Sequence, residues 1–140
     1  MVPKNHQSGR EAEEFVVRCL IKHGWALVDR NFSRRGTEID IIALRSGVLA
    51  FVEVKYRRCI TSCSRRPVLA DLFPAKKRKA IMRGIARFCA KNGDKLSWIL
   101  CRVDLAIVYP ENRVGKTSCQ GDALQLVYLK NVMEARWGPE

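Results

Sequence analysis

Hydrophobic positions near the start of this chain recur with the 3.6-residue period of an amphipathic helix. The apolar stripe consists of Ala12, Phe15, Val16, Cys19 and Leu20. The preceding Ser8-Gly9-Arg10-Glu11 has the spacing of a capping box, and Gly24 is the kind of residue that commonly ends a helix. The pattern therefore predicts a helix from about Ser8 to His23.

A second helix is predicted from Pro74 to about Asn92-Gly93, with apolar and basic residues on opposite faces. Solvated helices usually mix charges to gain i,i+4 pairs, and a purely basic face forgoes that stabilisation. The pattern therefore favours phosphate contact over a merely soluble face. The apolar face comprises Ile81, Met82, Ile85, Phe88 and Cys89, and the basic face comprises Lys76, Lys79, Arg83 and Arg87.

Short apolar runs between and after the helices predict five strands, so the chain is predicted to be an α/β protein with the element order αβββαββ. We expect one domain over residues 1–140, with a core from about 8 to 135, in which a mixed sheet is flanked by helices. The strands are predicted around Trp25–Val28, in Glu38–Leu44, in Val48–Lys55, within Trp98–Val108 and in Leu124–Leu129.

The second and third runs carry charges inside otherwise apolar strands. Burying a carboxylate costs about 2–7 kcal/mol or more unless it is paired or binds a metal. If Ser46-Gly47 is a two-residue hairpin loop, Asp40 faces Glu53 and Glu38 faces Lys55 on one face of the sheet. A three-residue loop without a bulge would instead place Asp40 opposite Val52. We favour the first register, which predicts a metal-dependent site.

Glu13 lies at the edge of the apolar stripe of the first helix, from where its side chain can overlook the sheet. Acidic residues in a first helical turn also complement the helix dipole, by about 0.3–1 kcal/mol. The spacing alone does not choose between a role in the site and this ordinary role.

The charge of the chain predicts a polyanionic partner. Among 140 residues there are 26 Lys and Arg but 14 Asp and Glu, a formal net charge of +12. Nucleic acid is the leading candidate, and a generally solvated basic surface is the alternative. Loops flanking the hairpin add a second basic population that includes Arg34, Arg35, Arg57, Arg58, Arg65 and Arg66.

No signal peptide or apolar stretch of about 18 residues is visible, so we expect a cytoplasmic protein with no membrane association. Its six cysteines are then expected to be reduced. Cys59 and Cys63 are too isolated from other ligands to favour a zinc site.

Several strings in this sequence resemble the YraN family of small uncharacterised bacterial proteins, over roughly residues 8 to 135. Gly36-Thr37-Glu38-Ile39-Asp40 and Phe51-Val52-Glu53-Val54-Lys55, at their mutual distance, are also similar to archaeal Holliday junction resolvases and the wider PD-(D/E)XK nuclease superfamily. Further matching positions are Gly9 to Glu13, Leu20, Gly24, Arg30-Asn31, Ile41-Ile42, Tyr56-Arg57, Lys76 and Arg102-Val103-Asp104.

The resemblance implies a restriction-endonuclease-like core and a metal-dependent endonuclease. It assigns Glu13, Asp40, Glu53 and Lys55 to catalysis, with the three carboxylates toward Mg²⁺ or Mn²⁺ and Lys55 toward the attacking water and the phosphate. The predicted partner is DNA, linear or branched, with RNA and a homodimer left open. Two alternatives remain: a non-catalytic nucleic-acid-binding module, and a structural protein in which Lys55 neutralises Glu38 or Glu53.

Overall fold

The computed structural model describes residues 4–57, 72–93, 100–110 and 123–133, with side chains from Ser8 onward. Its elements follow the predicted order αβββαββ in a mixed α/β fold. The elements are α1 (Lys4–Lys22), β1 (Ala26–Arg34), β2 (Thr37–Arg45), β3 (Val48–Tyr56), α2 (Ala75–Asn92), β4 (Leu100–Pro110) and β5 (Leu124–Met133).

The five strands form one sheet in the order β1-β2-β3-β4-β5. Three neighbouring pairs are antiparallel, whereas β3 and β4 are parallel. A parallel pair needs a long crossover, and the segment between β3 and β4 contains α2. The central strands are apolar on both sides because each face of the sheet is covered by a helix.

Two apolar clusters lie on opposite faces of the sheet. On the α1 face, Val16 and Leu20 pack with strand residues such as Val52. On the α2 face, the ring of Phe88 contacts Phe32 and Phe51 edge to face, with centroids 5.4 and 5.7 Å apart. Such pairs add about 0.5–1.5 kcal/mol beyond the area they bury.

Gly84 lets α2 approach β2 closely. A Cβ atom at this position would lie 3.0 Å from Cδ1 of Ile39 and 3.6 Å from Oγ1 of Thr37. An alanine at this position would require the buried Ile39 side chain to shift by a few tenths of an ångström, so glycine suits the close packing of α2 on the strand that carries Asp40.

Three predicted boundaries are wrong. The first helix begins at Lys4, so Ser8 lies within it and does not cap its start. The first strand runs from Ala26 to Arg34 and does not end at Val28, and the last strand continues to Met133. Both are edge strands that contain exposed polar residues, so their apolar signal is short. Trp98 and Ile99, in the range predicted for the fourth strand, lie outside the described residues.

Asp104 in β4 is fully buried, and its carboxylate is satisfied by three neighbouring groups. Tyr128 Oη donates to Oδ2 at 2.6 Å, and the backbone N–H of Asn131 donates to Oδ1 at 2.9 Å. Arg102 Nε lies 3.0 Å from Oδ1. The register of β4 with β5 shifts between Val103 and Leu105. The Asp104 carboxylate lies at this shift and stabilises it through its hydrogen bonds to β5.

No helix in the described part of the chain is long and apolar enough to cross a membrane. Cys19, Cys89 and Cys101 are free thiols. Cys59, Cys63 and Cys119 lie outside the described residues.

Asp104→Ala is expected to destabilise the fold by about 3–5 kcal/mol, because the substitution leaves the half-buried Arg102 charge, the Tyr128 hydroxyl and the Asn131 N–H without their acceptor. Urea denaturation measures the loss. Glu14→Ala is the control, since it removes a pair with Arg30 that is half exposed and worth about 1 kcal/mol or less. Equal losses in the two variants would show that the buried network does not hold the sheet.

Candidate active site

The turn between β2 and β3 sets the register of the strands that carry the candidate site. Ser46 and Gly47 both have positive φ values, 48° and 74°, as a two-residue type I′ turn requires. Arg45 pairs with Val48, and the ladder continues to Ile41 opposite Val52. The two-residue loop is therefore confirmed, and the alternative that places Asp40 opposite Val52 is wrong.

Beyond Ile41, backbone pairing between β2 and β3 ends, and a side chain of β2 accepts a hydrogen bond from the backbone of β3. The N–H of Val54 donates to Oδ2 of Asp40 at 2.8 Å. Ile39 packs in the cluster on the α2 face whereas Ile41 packs on the α1 face, although residues two apart in a regular strand share a face. The strand is thus irregular at Asp40, whose carboxylate reaches across to the backbone of β3.

Glu53 is the buried carboxylate of the site, with a side chain that is 3% exposed. Its Oε1 atom lies 3.1 Å from Nζ of Lys55 and 3.3 Å from Nζ of Lys77. Its Oε2 atom is buried and has no hydrogen-bond partner among the described residues. One oxygen of Glu53 therefore contacts two ammonium groups, whereas the other has no hydrogen-bonding group beside it among the described residues.

Asp40 is destabilised as an anion. Its pKa is raised from the ordinary value of 3.8 to about 7, chiefly by burial and secondly by the negative charge of Glu53. The hydrogen bond from Val54 and the charge of Lys77 oppose this shift without cancelling it. A group with a strongly perturbed pKa at the end of paired strands is a candidate for function.

Glu13 approaches the site from α1. Burial raises its pKa, the charge of Arg30 lowers it, and the charges of Glu38 and Glu53 raise it. Asn31 donates a hydrogen bond to its carboxylate, which also lowers the pKa. The structure thus brings Glu13 within electrostatic range of the buried carboxylate, in a half-buried position.

The second pairing expected from the register, Glu38 opposite Lys55, is not formed. Lys55 contacts Glu53, whereas Glu38 is exposed and pairs through its backbone with Ser33 of β1. The reason is the irregularity at Asp40, because β2 and β3 no longer pair in the segment that contains Glu38.

The donor set fits a hard divalent cation with few protein ligands. Within residues 4–57, 72–93, 100–110 and 123–133, no group of three or more His, Cys, Asp or Glu side chains is close enough together to hold a metal ion. Asp40 and Glu53 remain as a pair of carboxylates, one of which has a buried oxygen in need of a partner. Mg²⁺ is commonly held by one or two carboxylates and keeps several waters, so the pair suits it.

The sequence pattern points to Lys76 as a basic surface residue, whereas the structure brings its neighbour Lys77, which was not predicted, to the site. Lys76 is exposed, whereas Lys77 is half-buried and contacts Glu53. The signal was present: Lys77 precedes Ile81 by four residues and so lies on the apolar side of α2, which faces the sheet. A lysine on an apolar helical face requires a buried partner, and Glu53 supplies it.

The basic residues predicted on α2 fall into two groups. Lys76, Lys79 and Arg83 are exposed. Arg87 is half-buried, and its Nη1 donates to the Arg34 carbonyl at 2.9 Å and to Oγ1 of Thr37 at 3.0 Å. Arg87 therefore holds the turn between β1 and β2, in addition to any contact that it makes with phosphate.

The predicted loop arginines are only partly covered by the described residues. Arg34 ends β1, Arg35 lies in the following turn, and both are exposed. Arg57 follows β3, and its Nη1 donates to the carbonyl of Tyr56 at 2.9 Å. Arg58, Arg65 and Arg66 lie outside the described residues.

Comparisons with known proteins identify relatives over most of the chain. Residues 12–108 match the uncharacterised protein family UPF0102. A UPF0102 protein of Chlorobaculum parvum is 37% identical over 100 residues, which cover 71% of this chain and 73% of the relative. UPF0102 protein HRM2_30940 of Desulforapulum autotrophicum is 32% identical over 125 residues, 89% of this chain and 98% of the relative. Neither name states an activity.

Removing the charge of Asp40 is expected to stabilise the metal-free protein at high pH. Because the folded-state pKa is raised, the stabilising contribution of this group is fully present below pH 3.8 and is lost as the pH rises through about 7. In EDTA at about pH 8, Asp40→Asn should therefore unfold at higher urea concentration than the wild type, and the difference should shrink toward about pH 5. Asparagine still accepts the Val54 hydrogen bond.

Glu14→Gln serves as the control, because it neutralises an exposed carboxylate and should not change the pH dependence. A lower stability of Asp40→Asn at every pH would contradict the prediction and identify Asp40 as a stabilising anion.

Proposed function

This chain belongs to the uncharacterised protein family UPF0102, which confirms the resemblance to YraN proteins, and we propose that it is a metal-dependent nuclease that hydrolyses phosphodiester bonds in DNA. One observation carries the proposal. The buried Oε2 of Glu53 has no hydrogen-bond partner in the part of the chain that the structure describes, and Glu53 acts electrostatically on Asp40, whose pKa is raised to about 7. A divalent cation is the simplest group that would relieve both.

Asp40 and Glu53 would hold the Mg²⁺ or Mn²⁺ ion. When bound, such an ion supplies Lewis-acid activation of a phosphate and lowers the pKa of coordinated water. Glu13, which is not part of a three-carboxylate group in the described residues, would influence the site through its charge.

Lys55 and Lys77 would provide the positive charge that a phosphodiester reaction requires. Lys55 is held by Glu53 and is 23% exposed, so its ammonium group can orient the attacking water and offset charge on the phosphate. Lys77 contacts the same oxygen from α2 and would orient Glu53. Both ammonium groups contact Oε1 of Glu53, so Oε2 would be the oxygen that contacts the metal ion.

The basic surface supports a nucleic-acid substrate. The net charge is +12, and Lys76, Lys79 and Arg83 are exposed on the helix that also supplies Lys77 to the site. Phosphate contacts made by such residues position a duplex without reading its sequence. The preference for DNA, and for structured or branched DNA in particular, follows from the resemblance to the resolvases.

A second candidate function is nucleic-acid binding without cleavage. It is favoured by the two lysines on Glu53, because that carboxylate is already neutralised by its neighbours and the site does not require a metal for charge balance. The raised pKa of Asp40 is the observation that this alternative leaves unexplained.

Asp40→Asn is expected to lower cleavage of DNA at least about a hundredfold in Mg²⁺ or Mn²⁺, a loss of about 2.7 kcal/mol in transition-state stabilisation at 1.36 kcal/mol per tenfold. DNA affinity in EDTA should remain unchanged or increase, because a negative charge facing phosphate has been removed. The measurement uses labelled linear, flapped and four-way DNA with the wild type and the variant.

Mg²⁺ should also raise the unfolding midpoint of the wild type and leave that of Asp40→Asn unchanged. Glu14→Gln is the matched control for the loss of one carboxylate. The non-catalytic module would be favoured if the wild-type protein cut none of these substrates, gained no stability from either metal and bound DNA as Asp40→Asn does.

Replacing both Lys79 and Arg83 by alanine is expected to weaken DNA binding and to reduce the slope of log affinity against log salt by up to about 0.9 for each lost phosphate contact. Arg87 is left in place because it holds the β1–β2 turn. Lys91→Ala, an exposed change in the last turn of the same helix, is the control. An unchanged slope in the double variant would move the binding surface to the loop arginines.

A further inference from the structure

A cavity lies away from the carboxylates. It has a volume of about 690 Å³ and is bordered by Arg45 and Ser46 at the β2–β3 turn. Arg45 is five residues from Asp40 along β2, which corresponds to about 16 Å at roughly 3.3 Å per residue. The cavity opens on the α1 face, whereas Glu53 and Lys77 meet on the α2 side of the sheet. It is therefore separate from the candidate active site.

The walls of this cavity are apolar and planar. Trp25 and Tyr128 contribute aromatic rings, and Leu20 and Leu126 contribute aliphatic side chains. The guanidinium carbon of Arg102 lies over a Trp25 ring, 5.2 Å from its centroid, so the cation and the ring form a stacked pair in this wall. Aromatic rings and arginine planes are the surfaces on which unpaired bases stack.

The rim of the cavity is cationic. Arg45 and Lys130 are both exposed and border the cavity from β2 and β5, and Arg102 lies between them on β4. Among the described residues that line it, none is acidic. The carboxylate of Asp104 is buried, and Arg102, Tyr128 and the Asn131 N–H satisfy it, so it does not face an incoming anion unpaired.

The end of α1 beside the cavity does not oppose an anion either. Carbonyl groups at a helix C-terminus carry partial negative charge. Here the carbonyls of Cys19, Leu20 and Ile21 accept hydrogen bonds from the N–H groups of residues 23 to 25. Those carbonyls therefore do not point unpaired into the cavity.

We propose that this cavity is a binding site for a nucleoside monophosphate, either free or as one unit of a DNA strand. An apolar planar wall with a cationic rim selects a ligand that combines a planar ring with an anion, and the volume lies within the range of small-molecule sites, about 300–1,000 Å³. Arg45 and Lys130 hold the phosphate, and the base lies against Trp25 and Arg102. The proposal does not rest on nuclease activity.

The test is calorimetric titration of the whole protein in EDTA with dAMP, inorganic phosphate and deoxyadenosine. We expect dAMP to bind at least about tenfold more tightly than either part alone, because the site uses both base and phosphate. Arg45→Glu and Lys130→Glu should each weaken dAMP binding about tenfold or more, since each reverses a charge at the rim. Lys91→Glu, with the same change in net charge on α2, should not.

The proposal would be overturned if inorganic phosphate bound as well as dAMP. It would also be overturned if the rim variants bound dAMP as the wild type does while their melting curves matched the wild type. Competition identifies the source of the nucleotide. A short single strand of DNA that displaces dAMP supports a strand as the natural ligand, and a strand that binds together with dAMP supports the free nucleotide.

Discussion

The end of the β2–β3 ladder is the constraint on which the candidate site depends. Up to Ile41 and Val52 the strands pair backbone to backbone, and beyond that point the Asp40 carboxylate accepts the N–H of Val54. This bond satisfies a backbone donor that an interrupted ladder would otherwise leave unpaired. It also fixes a carboxylate beside β3, the strand that carries Glu53 and Lys55.

The electrostatics of the site follow from that geometry. A buried Glu53 is compensated by two ammonium groups on one oxygen. Asp40 is not fully compensated, so burial and then the charge of Glu53 raise its pKa. The position of Lys77 depends on close contact between α2 and β2, which Gly84 permits. The packing of the helix and the charge state of the site are therefore coupled.

The basic composition of the chain serves several purposes in the folded protein. Lys55 and Lys77 neutralise Glu53, Arg102 neutralises Asp104, and Arg87 holds a turn. The supply of cations for a polyanionic ligand is thus smaller than the total of 26 Lys and Arg residues suggests. Positive charge faces solvent at exposed residues that include Lys79 and Arg83 on α2, and at the rim of the cavity bordered by Arg45 and Lys130.

By itself the sequence determined the element order and the position of the hairpin turn, because hydrophobic periodicity and turn chemistry are local. It favoured a two-residue loop and proposed the chemical types of the candidate site residues. It indicated that Asp40, Glu53 and Lys55 belong together, through their positions on adjacent strands. Only the tertiary structure decided that Lys77 completes the site, that Lys55 contacts Glu53 and not Glu38, and that Arg87 holds a turn. These contacts depend on how α2 crosses the sheet and on where a ladder breaks, and no local pattern specifies either.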